Sequence, residues 1–247
     1  MKKILFLIGI LLLVYTQVFS FMLMTNNSKV ESGIVAYGIE ETFDGSSSCI
    51  SGGDSNCDNV NLFSANDRCD LSSINGAPEG TYCMECTPDG ADIVWDISSV
   101  SEGANGKYVT MLFRLEEAAT ADGTIMALRD SSNNTLASME IDGNGTDALR
   151  ADFESTFPGN TSGSIAADTN VYIKIRYKAD TGAANAELEY WLSSDGTTWT
   201  DNVSGNVDSS FTALDNIRFF VGAISATPVF YYDILRVDDE DIIDATN

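Results

Sequence analysis

The sequence predicts an all-β protein, a two-sheet antiparallel sandwich, on three observations. Short apolar or alternating runs recur from residue 80 onward, turn residues separate them, and no segment of helical length carries a 3.6-residue period. The predicted strands are 80–87, 92–97, 107–115, 124–128, 136–141, 148–153, 171–178, 187–193, 216–223 and 228–237. Ala104-Asn105-Gly106 turns the chain into the third of them, and Asp122-Gly123 into the fourth. Asp142-Gly143-Asn144-Gly145 closes the fifth, and Asp195-Gly196 marks a hairpin tip after the eighth. No internal repeat of fixed period is present, so neither a propeller nor a solenoid is supported.

One hairpin can be read in register. Val171, Ile173, Ile175 and Tyr177 alternate with Tyr172, Lys174, Arg176 and Lys178, while Leu188, Tyr190 and Leu192 alternate with Glu187, Glu189 and Trp191. Pairing Tyr177 with Leu188, Ile175 with Tyr190 and Ile173 with Leu192 puts the apolar set on one face. The other face then sets Lys178 against Glu187, Arg176 against Glu189 and Lys174 against Trp191, two ion pairs and a cation–π contact on a solvated surface.

The 247 residues suit a single sandwich domain, predicted over 34–241, with a Ser/Asn/Asp/Gly-rich loop at 45–78 and a tail at 242–247. Ahead of it, Lys2 and Lys3 precede an apolar run over 4–14, and Val18-Phe19-Ser20 suits signal peptidase. Residues 1–20 are therefore expected to be a signal peptide, or, since apolar character resumes to about residue 24, an uncleaved anchor. The polar stretch 25–33 would be a tether, and the domain would be secreted or held at the cell surface, touching membrane only through that segment.

Cys49, Cys57, Cys69, Cys83 and Cys86 all fall early in the chain. In an oxidising compartment they are disulfide candidates, with connectivity open and one cysteine left over. Cys83-Met84-Glu85-Cys86 has the spacing of a zinc or redox motif, but it lies in a strand-like run without a second ligand pair.

Thirty-seven acidic residues against 13 basic ones leave a formal charge of -24, which repels a phosphate backbone and makes nucleic acid an unsuitable partner. The chain has no histidine, which removes every Ser-His or Cys-His nucleophile pair and leaves carboxylate or metal chemistry as the enzymatic routes.

With the strands so placed, Glu41-Thr42-Phe43-Asp44-Gly45, the run from Val171 to Tyr177 and the closing run from Phe230 to Val237 resemble the concanavalin A-like lectin and glucanase superfamily in its laminin-G-like branch. The resemblance spans Glu41 to Asp241 and implies a jelly-roll sandwich. Members similar to it bind sugars or proteins, and some hydrolyse glucans. It implies a glycan or cell-surface ligand here, with calcium as a cofactor in sugar-binding relatives.

Glu140-Ile141-Asp142 looks like the start of the glucanase motif, but Gly143, Asn144 and Gly145 stand where the third carboxylate belongs, so no catalytic residue is assigned. Asp142 and Asn144 are candidate calcium ligands, although the loop lacks an EF-hand's sixth-position Gly and closing Glu. The run from Ser193 to Trp199 resembles a single sialidase-type Asp-box, one residue short, and reads as a hairpin turn. Trp95, Trp191 and Trp199 are the side chains best suited to stack on a sugar ring, and Trp191 is the one the register turns away from the core. Trp191, Lys174, Arg176 and Glu189 therefore form the candidate ligand site. The expected function is a non-catalytic glycan-binding or adhesive module. The alternatives are a glycoside hydrolase or polysaccharide lyase of the same fold, and a structural surface protein.

Overall fold

The computed structural model describes residues 39–41, 69–72, 83–86, 93–117, 123–142, 148–152, 165–182, 185–207, 212–219 and 229–241, all within the unit Tyr37–Thr246. The remaining unit, Met1–Ala36 with Asn247, holds the expected signal and tether, which lie outside the described residues, as do Cys49, Cys57, Asn144 and the tail.

The described strands are β1 (Ile39–Glu41), β2 (Cys69–Ser72), β3 (Cys83–Cys86), β4 (Ile93–Asp96), β5 (Lys107–Leu115), β6 (Gly123–Arg129) and β7 (Thr135–Asp142). They continue with β8 (Ala148–Asp152), β9 (Asn170–Lys178), β10 (Ala186–Ser193), β11 (Thr200–Val207), β12 (Asn216–Phe219) and β13 (Phe230–Asp238). The larger sheet runs β11-β10-β9-β5-β13-β3-β2, with β1 also on β13; the smaller runs β4-β12-β6-β7-β8. Every pairing is antiparallel.

The core lies between the sheets because each strand turns one parity of side chains inward. Val109, Met111, Phe113 and Leu115 of β5, Ile173, Ile175 and Tyr177 of β9, and Tyr232 of β13 meet Trp95, Ile217, Phe219, Met139 and Ile141 from the smaller sheet. Three tyrosines of the larger sheet also cross the gap with their hydroxyls. Tyr190 donates to the Leu149 carbonyl at 3.1 Å, Tyr232 to that of Ile125 at 2.8 Å, and Tyr177 to that of Thr212 at 2.8 Å. Ile125 sits where the β6–β7 register slips, and its carbonyl accepts from across the core.

β5 and β13 are buried on both faces: Tyr108, Thr110, Leu112, Tyr231, Asp233 and Arg236, which point away from the core, are buried as well. The near-continuous apolar run of β5 is the sequence sign of such two-sided burial. β13 takes β5 along one edge and β3, then β1, along the other. The β5 register breaks between Asp233 and Arg236, where Ile234 adopts φ 47°. The Asp233 carboxylate accepts from the Ile234 N–H at 2.9 Å, holding a β-branched residue in a conformation it would otherwise avoid.

Strands β1, β2 and β11 lie outside the predicted runs. β2 lies inside the stretch assigned to the 45–78 loop, and β11 follows the Asp195-Gly196 turn without apolar alternation. β2 and β11 are held in the sheet by their partners, β3 and β10.

The Cys83-Met84-Glu85-Cys86 spacing resolves by parity. Three residues apart on one strand, the two cysteines face opposite sides of the sheet, so they cannot form one chelate or one redox pair. Cys86 faces the core and is disulfide-bonded, and its Cα partner on β2 is Cys69. Cys83 faces outward beside Asp233; burial first, then Asp233 and Glu85, push its thiol up to about 12 against the opposing pull of Arg114. The Cys83 thiol is therefore expected to resist iodoacetamide at pH 8 in the folded protein and to alkylate once the chain is unfolded, as peptide mass spectrometry would read.

Candidate ligand-binding face

β9 and β10 pair in the register read from their alternation: Lys178 opposite Glu187, Arg176 opposite Glu189, Lys174 opposite Trp191. The ion pairs go further than direct cross-strand partners. Arg176 Nε donates to Glu189 Oε2 at 2.9 Å, its Nη2 to Glu187 Oε2 at 2.6 Å, and its Nη1 to the Asn105 carbonyl at 2.8 Å. Lys178 Nζ stands 3.8 Å from Glu187 Oε1. Burial alone would pull the Arg176 guanidinium down, but the hydrogen bonds it donates to Glu187 and Glu189 outweigh it and leave the group above its ordinary value.

The expectation of a solvated face fails at Lys174, which is only 5% exposed. Its ammonium lies 4.8 Å from the ring centroids of both Trp191 and Trp199 and donates to Asp241 Oδ1 at 2.9 Å. The two indoles and the carboxylate shield it from water, and the charge is tolerated because all three favour a cation. Trp191 is half-buried, as is Trp199, while Asp241 is exposed.

Trp199 is positioned by the turn after β10. Asp195 Oδ1 accepts from the N–H groups of Thr198 at 2.7 Å and Thr197 at 2.9 Å and from the Ser193 hydroxyl at 2.9 Å. Those bonds, led by the Thr198 N–H, hold the Asp195 carboxyl well below the ordinary carboxylate range. Gly196 takes φ 73°, a left-handed value suited to glycine. The shortened Asp-box thus works as a turn that presents its tryptophan to Lys174.

Neighbouring strands extend the face. Arg236 of β13 is the Cα partner of Thr110 on β5, Thr110 of Lys174 on β9, and Lys174 of Trp191 on β10, so the four form one row across the sheet. Burial falls along it, from a fully buried Arg236 to the half-buried Trp191. Beside the row, Tyr108 is pushed above its ordinary range by burial first and then by Asp241, with Arg176 opposing and Glu189 adding. Thr110, Tyr108 and Asp241 escape a sequence reading: the first two belong to an apolar run, and Asp241 follows the last strand with no pattern of its own.

The other candidates separate from this face. Trp95 is wholly buried in the core. Ile141 faces the core and Glu140 the opposite side of the smaller sheet, between Thr124 and Arg150 in register. Asp142 ends β7 opposite Ala148, and its side chain, like Asn144, lies outside what is described. Among the described residues no group of three or more acidic, cysteine or histidine side chains is placed to hold a metal ion.

No protein-family model matches the chain, and no curated protein matches it in sequence. Solved structures do share its fold. A cellulose-induced protein, Cip1, superposes with a TM-score of 0.55 at 16% identity, over 82% of this chain and 97% of that one. The binding domain of botulinum neurotoxin DC in complex with SialylT gives 0.52 at 11% identity, over 73% of this chain and 43% of its own. The same binding domain in complex with rat synaptotagmin II gives 0.53 at 10% identity, over 78% and 48%. The chain thus spans less than half the length of the neurotoxin chains it matches. At these identities the likeness establishes the β-sandwich architecture.

Proposed function

We propose that this protein is a non-catalytic β-sandwich of the laminin-G-like kind that acts outside the cytoplasm and binds a glycan or another cell-surface ligand through the β9–β10 face. The observation that carries the reading is the half-buried Trp191, set in a fixed polar frame of Lys174, Arg176 and Glu189. A flat indole beside oriented donors and acceptors is the chemistry that recognises a pyranose. Binding domains among the fold neighbours, one in complex with SialylT and one in complex with rat synaptotagmin II, support the class of ligand.

The geometry argues against hydrolysis on this face. Glu187 and Glu189 are the closest approach to a carboxylate pair there, and the Arg176 guanidinium is wedged between them, where a retaining or inverting hydrolase would hold sugar or water. The disulfide at Cys86 supports an oxidising compartment. Calcium at the turn carrying Asp142 and Asn144 stays within the proposal as an accessory ligand.

A glycan-array screen with and without calcium tests the reading, and a Trp191→Ala variant places it. The substitution is expected to weaken binding by about 1–2 kcal/mol through lost stacking area. It should lower folding stability by roughly 0.5–2 kcal/mol, because one of the two rings over Lys174 is lost. Binding that is unaffected while stability falls would remove this face from the ligand.

A further inference from the structure

Lys174 presents an unusual combination. Its ammonium is buried between two indole rings, yet its carboxylate partner, Asp241, comes from an exposed position beyond the last strand. Thr110, its Cα partner on β5, is 1% exposed, and its Oγ1 finds no hydrogen-bond partner among the described residues. A buried hydroxyl without a partner is costly and calls for an explanation. The row thus sets a cation, an unmet hydroxyl and a half-buried indole side by side, with a carboxylate lodged on the cation.

We infer that the cluster takes a carboxylate-bearing saccharide, a uronic or sialic acid unit, whose carboxylate replaces that of Asp241 on Lys174 Nζ. This deepens the glycan-binding reading and rests on it. Asp241 shows that a carboxylate fits the ammonium at 2.9 Å between the rings. A saccharide hydroxyl would meet Thr110 Oγ1, and the ring face would lie on Trp191. A neutral sugar could use the indole and the hydroxyl, but it would have to leave Lys174 with Asp241 or strip a buried charge of its partner. Asp241 then acts as a tethered competitor that keeps the site closed to weak ligands.

The full chain would be titrated calorimetrically with a tetragalacturonide and with sialyllactose, each beside its neutral counterpart, a carboxyl-reduced tetragalacturonide and lactose. The acidic member of at least one pair should bind, and its neutral counterpart should bind at least tenfold more weakly, as for a lost charge-assisted bond. Asp241→Asn should tighten the acidic ligand by roughly fivefold, because the half-exposed carboxylate no longer competes for the ammonium. Lys174→Met should abolish the preference for the acidic ligand; because it removes a buried cation, its thermal unfolding is measured alongside, and Asp241→Asn decides the matter if it does not fold. Equal binding of acidic and neutral sugars would overturn the inference and leave glycan binding standing. Acidic binding indifferent to Asp241→Asn would overturn the placement at Lys174. Binding of no saccharide on the panel or the array would overturn both readings.

Discussion

Tyr232→Ala is expected to cost about 3–5 kcal/mol of folding stability, read as a lowered midpoint in denaturant. The ring is wholly buried at the centre of the core, with centroids 4.8 Å from Phe219 of the smaller sheet and 5.4 Å from Phe113 of its own. Removing it opens a cavity between two sheets that cannot close on it independently, since each is tied into its own ladders. Tyr232→Phe separates the hydroxyl from the ring. It keeps the aromatic contacts, strips the bond to the Ile125 carbonyl, and should cost about 1–3 kcal/mol. A Phe variant as unstable as the Ala variant would mean that the bond across the sheets, not ring packing, dominates.

Lys107→Ala should produce a comparable loss, roughly 3–5 kcal/mol, for a different reason. Lys107 is buried at the start of β5, and its ammonium donates to the carbonyls of Ile97, at 3.2 Å, and Leu214. Those carbonyls belong to the segments beside β4 and β12, so one side chain pins two strand connections to the larger sheet. Ile97 also accepts from the Val100 N–H, so the Leu214 carbonyl bears more of the loss. An unpartnered carbonyl costs about 1–3 kcal/mol and each lost methylene about 0.8. Lys107→Met restores the stem and should recover the packing share only. Burial draws the Lys107 ammonium below its ordinary value, against the pull of Asp215, Glu102 and Asp96. The penalty on the charged form is complete below the folded value, and stability rises as pH climbs from there toward the unfolded one. Wild type should therefore gain on Lys107→Met across that alkaline interval, measured as the difference between their unfolding free energies.

The β9–β10 register was legible because apolar parity and opposite charges agree at Lys178 with Glu187 and at Arg176 with Glu189, two independent constraints on one alignment. Lys107 opens an apolar run and reads as a polar flank, because nothing local signals that two distant carbonyls converge on it. Lys174 misleads in the opposite way: its strand position implies solvent, while the rings that cover it arrive from β10 and from the turn beyond. Asp241 has no periodicity at all, so its contact with Lys174 could come only from the tertiary fold. β11 was missed because its residues are mostly polar, and β2 because the alternation of Cys69 and Leu71 with Asp70 and Ser72 is only four residues long inside a Ser/Asn/Asp/Gly-rich stretch.

The place of β13 in the sheet sets an order of assembly. It is last in chain order among the described strands, yet it lies in the interior of the larger sheet, between β5 on one side and β3 and β1 on the other. Until it arrives, β5 and β3 present bare hydrogen-bonding edges, and the aromatic cluster around Phe113 lacks Phe230 and Tyr232. A ribosome making this chain from its amino end therefore releases β13 after every other described strand, and the earlier strands must wait without a partner in the middle of their sheet. In that interval the edges of β5 and β3 are open to mispairing with other chains.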